Sequence, residues 1–144
     1  MQNPPPVQVS SQPPAQAGKS STGLDENIAS LLSYVFGWVS GLIFFLIEKD
    51  SRLVRFHAMQ SLLFNVLVAV VGIALWIVLF VVFMIAAQIS GTLATLLSLV
   101  SILVWGVFLL GILAGFILCL VKAFQGQYFK LPIIGNLAEK FSAK

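Results

Sequence analysis

Residues Arg52 to Asn65 read RLVRFHAMQSLLFN, and they set the only histidine of the chain, His57, beside Gln60, Ser61 and Asn65 at the threshold of a charge-free region. From His57 to Val121 there is no Asp, Glu, Lys or Arg. On a helix, His57, Gln60, Ser61, Asn65 and Gly72 fall within an arc of about 140°, while Arg52 and Arg55 point away from it. The arginines can therefore reach lipid phosphates. The uncharged polar stripe must face protein or a water-filled crevice, because Asn65 turned to lipid would lack hydrogen-bond partners.

The surroundings of this stretch decide the class. With 59% hydrophobic and 9% charged residues, the chain lies far from soluble domains, which carry about 25% charge. Its apolar surface exceeds what a 144-residue core can hide, so lipid must cover most of it. The reading is an all-α integral membrane protein, which excludes a soluble globular enzyme. The net charge of +3 comes from basic residues that flank apolar runs instead of interleaving with aromatics, so nucleic acid is not an expected partner. The single cysteine, Cys119, can form no internal disulfide.

Residues 1–24, rich in Pro, Gln and Ser, lack the large apolar side chains that offset ordering entropy, and they read as a disordered tail. Residues 25–144 form a helical membrane domain with three expected transmembrane helices, at about 28–47, 61–87 and 96–121. The first has 20 uncharged residues, about the 30 Å of a hydrocarbon core. Asp50 or Ser51 is placed to cap the helix that starts near Arg52. Gln88 to Thr92 reads as a turn joining the second and third spans into an antiparallel hairpin.

A short interfacial amphipathic helix is expected over 132–141, with Ile133, Ile134, Leu137, Ala138 and Phe141 on one face. Lys49, Arg52, Arg55, Lys130 and Lys140 are candidate headgroup contacts. Seven basic residues in the 48–60 loop and C-terminal tail oppose Lys19 in the N-terminal tail. The positive-inside rule then predicts a plasma (inner) membrane protein with its N-terminus outside and its C-terminus in the cytoplasm.

Within the spans, Ser33, Gly37 and Gly41 form one small-residue ladder, and Gly111, Gly115 and Cys119 another, of the kind that lets helices approach closely. Trp38, Trp76 and Trp105 fall near mid-span and read as packing groups. The run GWVSG, Gly37 to Gly41, departs by one residue from the G-x-S-G motif of intramembrane serine proteases, and it places Ser40 too deep to meet His57. His57 has no second histidine and no carboxylate within the spans to join it, so the sequence points to no metal, cofactor or catalytic centre.

The runs EKDSRLVRFHAMQSL, Glu48 to Leu62, and KAFQGQYFKLPIIG, Lys122 to Gly135, resemble a widespread bacterial family of small membrane proteins. That domain-of-unknown-function family is related to the Tic-twenty component of chloroplast protein import and to the magnetosome protein MamF. The resemblance covers about Glu26 to Lys140, and it implies a multi-spanning helical fold with an assembly or scaffolding role.

The expected function is that of a non-enzymatic membrane protein acting by self-association or as a scaffold for another membrane protein. Its partners would be the lipid bilayer and a second copy or another membrane protein, and the sequence identifies no small-molecule substrate. The alternative is a translocon or channel subunit with a polar path along His57 to Asn65.

Overall fold

The computed structural model describes residues 18–143, so most of the expected disordered tail, 1–17, and Lys144 lie outside the described part. Five helices follow in order: α1 (Glu26–Val35), α2 (Trp38–Ile47), α3 (Arg52–Ile89), α4 (Gly91–Phe124) and α5 (Ile134–Ser142). Among the described residues the sole extended pairing is an isolated bridge between Lys19 and Asp25.

The longest elements follow the sequence reading closely. Ser51 caps α3, its hydroxyl accepting from the amide of Val54 at 3.3 Å. The turn expected at 88–92 contracts to Ser90, the one residue between α3 and α4. Among the described residues these two are the helices long and apolar enough to cross a membrane. With 38 residues α3 is about 57 Å long, well beyond a hydrocarbon core of about 30 Å. Tilt and a stay in the headgroup zone must take up the excess.

The first expected span is not one helix. The segment is broken at Phe36 and Gly37 between α1, which starts at Glu26, and α2, two ten-residue helices each about 15 Å long and shorter than a hydrocarbon core. Gly37 adopts φ 60°, ψ −130°, a conformation that a side chain would strongly disfavour. The chain doubles back there, and the far end of α2 returns to the start of α1, where Glu48 takes hydrogen bonds from Ser21.

The structure departs from the expected organisation in two places. Residues 18–25 lie at the same end of the molecule as the 48–51 loop, so the segment 28–47 does not run as one helix from one end of the molecule to the other. Residues 18–24 are also not a loose tail: the amide of Ser20 bonds the carbonyl of Leu24, that of Gly23 bonds the carbonyl of Ser20, and Ser21 is held by Glu48.

The core sits where α1, α2, α4 and α5 meet the first half of α3. Ala29, Tyr34, Val54, Phe56, Ala58, Cys119, Ala123 and Ala138 are buried there. Most apolar side chains of α2 and of the outer halves of α3 and α4 are exposed instead, as lipid-facing residues must be. Trp38 and Trp76, expected as packing groups, are more than half exposed within the chain, and Trp76 stacks on Phe80 of its own helix.

The KLPIIG run has a specific geometry. Ile133 sits at φ 77°, ψ −58°, and the amide of Ile134 donates to the carbonyl of Pro132 at 3.0 Å. This is a γ-turn of the strained kind, rare for a β-branched residue. A Cβ at Gly135 would come within 2.6 Å of the Cα of Lys130, so the turn closes against the segment that leads into it. Helix α5 begins two residues later than expected and divides the anticipated apolar face. Ile134 and Ala138 are buried, whereas Ile133, Leu137 and Phe141 remain exposed.

Candidate functional site

The break at Gly37 frees backbone groups that a continuous helix would pair, and hydroxyls take their place. Ser40 Oγ accepts from the amide of Phe36 at 3.1 Å and lies 3.1 Å from the carbonyl of Ser33, to which it donates. Ser61 Oγ, from α3, donates to the carbonyl of Gly37 at 3.2 Å. Non-helical backbone at membrane depth is stable only when its polar groups are satisfied within the protein, and these serines do that. Ser33 Oγ turns back to the carbonyl of Ser30, one turn earlier in α1.

The polar stripe of α3 lies against this break. His57, Gln60 and Ser61 are fully buried. Asn65 is half-buried; its amide donates to the carbonyl of Ser61 at 2.9 Å, and its Oδ1 would stand 3.3 Å from a Cβ at Gly37.

Donor and acceptor roles fix a directed chain. His57 Nε2 lies 3.0 Å from the carbonyl of Gln127, which can only accept, so Nε2 carries a proton. In the neutral ring Nδ1 is then the acceptor, and Tyr34 Oη donates to it across 3.2 Å. Gln60 Nε2 donates in turn to Tyr34 Oη at 3.3 Å and reaches Cys119 Sγ at 3.5 Å. One polar chain thus joins α3, α1, α4 and the segment after α4. His57, with both ring nitrogens engaged, is a fastening between elements. Ser40 has its own backbone partners and does not pair with His57, in line with the departure of GWVSG from a protease motif.

A second cluster closes the base of the hairpin. The carboxylate of Glu48 is fully buried and accepts from Ser21 N at 3.0 Å, Ser21 Oγ at 2.8 Å, Asp50 N at 3.0 Å and Ser51 N at 2.8 Å. Burial pushes its pKa up, but the donors from Ser51, Ser21 and Asp50 outweigh that and hold the group below its ordinary 4.5.

The small-residue ladders divide by partner. A Cβ at Gly41 would meet the carbonyl oxygen of Ala58 at 2.9 Å, so Gly41 lets α2 lie directly on α3. A Cβ at Gly115 would contact Phe64 at 3.5 Å. Gly111 has nothing within 4 Å of that position and lines an open apolar groove of about 300 Å³ with Phe64, Val68 and Val107. Ser33 belongs to the hairpin core.

The basic residues are placed unequally for headgroup contact. Lys49, Arg52 and Lys140 are exposed. Lys130 pairs with Glu139 at 2.7 Å, a half-exposed ion pair worth at most about 1 kcal/mol. Arg55 departs from the expected outward position: it lies over the Phe45 ring at 5.2 Å and its Nη1 reaches the carbonyl of Glu48 at 3.4 Å, tying α2 to α3. Arg52 lines a cavity of about 310 Å³ with Phe56, Tyr128, Glu139 and Ser142. Burial and then the Glu26 carboxylate push the Tyr128 phenol up, with Arg52 opposing them. Among the described residues no three His, Cys, Asp or Glu side chains gather as metal ligands.

Sequence relationships bear on this arrangement. The model of the MamF/MmsF family, the magnetosome magnetite crystal formation protein family, matches residues 24–138. The chain belongs to that family. The matched part takes in α1 to α4, the His57 chain, Glu48 with Asp50 and Ser51 though not Ser21, and the first five residues of α5. The UPF0132 membrane protein MJ1443 of Methanocaldococcus jannaschii is 37% identical over 126 residues, covering 87% of this chain and 96% of its own. A UPF0132 membrane protein of Archaeoglobus fulgidus is 33% identical over 81% of this chain and 95% of its own. No solved structure matches. These relationships identify a membrane protein family with archaeal members; they do not carry the bacterial origin or the Tic-twenty relation that the resemblance implied.

Proposed function

We propose that this is a non-enzymatic multi-pass membrane protein that acts by self-association or as an assembly partner of other membrane proteins. In this reading α1 and α2 form a re-entrant hairpin that enters one leaflet and returns, and α3 and α4 cross. The observation that carries it is the use of the polar groups. His57, Gln60, Tyr34 and Ser61 are engaged in holding the hairpin to α3 and α4, and the remaining surface offers lipid and neighbours an apolar exterior.

Orientation follows from charge. Lys19, Lys49, Arg52, Arg55, Lys122, Lys130 and Lys140 gather at the end where the hairpin closes, and Gln88 to Thr92 carry no charge. The positive-inside rule places the basic end, with residues 18–25, in the cytoplasm of the plasma membrane.

Gly111 supports the self-association reading, because its open groove admits a second helix without disturbing the fold of the chain itself. Gly111→Leu is expected to weaken oligomer recovery from detergent about tenfold, equivalent to ~1.4 kcal/mol, while the monomer's unfolding midpoint stays unchanged. Liposomes holding the wild type should pass no more solute than empty ones. If they leak solute, and Asn65→Leu abolishes the leak with assembly intact, the channel reading replaces this one.

A further inference from the structure

We infer that the protein is a membrane wedge that favours curved bilayers, with its basic end in the convex leaflet. The inference rests on the re-entrant insertion proposed above and adds a mechanical activity to it.

The asymmetry is built into the fold. At the level of Arg52 to Asn65, α3 has α1, α2 and α4 beside it, with α5 against its first turns. Because α1–α2 doubles back opposite Ser61 and Asn65, α3 continues from Val66 to Ile89 with α4 alone at its side. One end therefore has the cross-section of four helices and the other that of two. With helices about 10 Å across, the broad end occupies roughly twice the area of the narrow end.

Depth and surface chemistry decide that this extra bulk displaces acyl chains. Each hairpin arm has ten residues and reaches about 15 Å, half of a hydrocarbon core of about 30 Å. The outward side chains Phe36, Trp38, Val39, Ile43 and Leu46 are apolar and exposed, so they stand in lipid tails. Ile133, Leu137 and Phe141 present further apolar surface at the same end, where an amphipathic element adds area near the headgroups.

The wedge is held rigid. Ser61 on the Gly37 carbonyl and Tyr34 on His57 hold the tip, and Ser21 on Glu48 ties the two arms at the base, so the hairpin resists being folded away by lateral pressure.

The test uses the full chain, fluorescently labelled, in giant vesicles from which membrane nanotubes are drawn. Orientation is read from a thiol at position 22 with an impermeant reagent. Protein with its basic end in the outer leaflet of the tube should be enriched there several-fold over the flat vesicle wall. Protein in the opposite orientation should be depleted. Equal density on tube and wall in both orientations would overturn the wedge. Should thiols at positions 22 and 140 report opposite sides of the bilayer, the re-entrant reading itself fails, whatever the sorting. Oligomer size, measured on the same samples, bears on the assembly reading alone.

Discussion

Replacing Glu48 with alanine is expected to lower the unfolding free energy of the purified protein by about 1–3 kcal/mol, the cost of orphaning the buried amide of Ser51. The carboxylate takes the amides of Ser21, Asp50 and Ser51; the Asp50 amide keeps Ser21 Oγ at 3.2 Å and Ser21 is exposed, whereas the buried Ser51 amide loses its partner. The Ser21 hydroxyl can turn to Asp50, 2.8 Å away, so it softens the loss only in part. Residues 18–25 should become protease-sensitive, because Glu48 is what fastens them. Acid should act in the same way. Since the folded-state pKa lies below the unfolded one, the contribution is fully present above pH 4.5 and disappears as pH falls through the lower folded value. Denaturant titrations at stepped pH should show this acid loss in the wild type and not in Glu48→Gln. A wild-type midpoint in Glu48→Ala would contradict the clamp.

Gly41→Ile should have a comparable effect through packing. Even the first side-chain carbon would stand 2.9 Å from the carbonyl oxygen of Ala58 and 3.2 Å from Ser61. Backbone cannot yield as a flexible side chain would, so α2 must move off α3, and the bond from Ser61 to Gly37 breaks with it. Overpacking of this kind costs about 1–3 kcal/mol before the loss of the tip bond is added. Thermal unfolding in detergent should therefore fall sharply for Gly41→Ile and stay level for Gly111→Ile, whose Cβ meets nothing. The reverse order would mean that Gly41 serves contacts between chains and Gly111 contacts within one.

The features legible in the sequence were those that depend on local pattern. Ser51 before an apolar run announces a helix start, and the 3.6-residue period puts His57, Gln60 and Ser61 on one face that cannot be left to lipid. The break at Gly37 was hidden because 20 uncharged residues pass a length test for a crossing whether or not the helix is continuous. Its signal was present: Ser33 and Ser40 flank the glycine at hydroxyl-bonding distance along the chain, and Asn65 and Ser61 supply polar groups at matching depth on α3. Counting apolar length alone ignores such pairs. Other contacts had no sequence code at all. His57 bonds a backbone carbonyl of Gln127, 70 residues away, and every residue type carries such a carbonyl. Glu48 meets Ser21 only because the hairpin closes. Arg55 reads as a surface cation until Phe45 comes back to lie under it.

The central claim is that α1 and α2 enter and leave the membrane on one side. Single cysteines at Thr22, Ser90 and Lys140 in a Cys119→Ser background, labelled in intact cells with an impermeant thiol reagent, test it directly. All three positions are exposed. The account predicts that Ser90 labels from outside, and that Thr22 and Lys140 label together, only after the membrane is permeabilised. Labelling of Thr22 from outside while Lys140 stays protected would mean that the first apolar segment crosses, and the hairpin would be wrong.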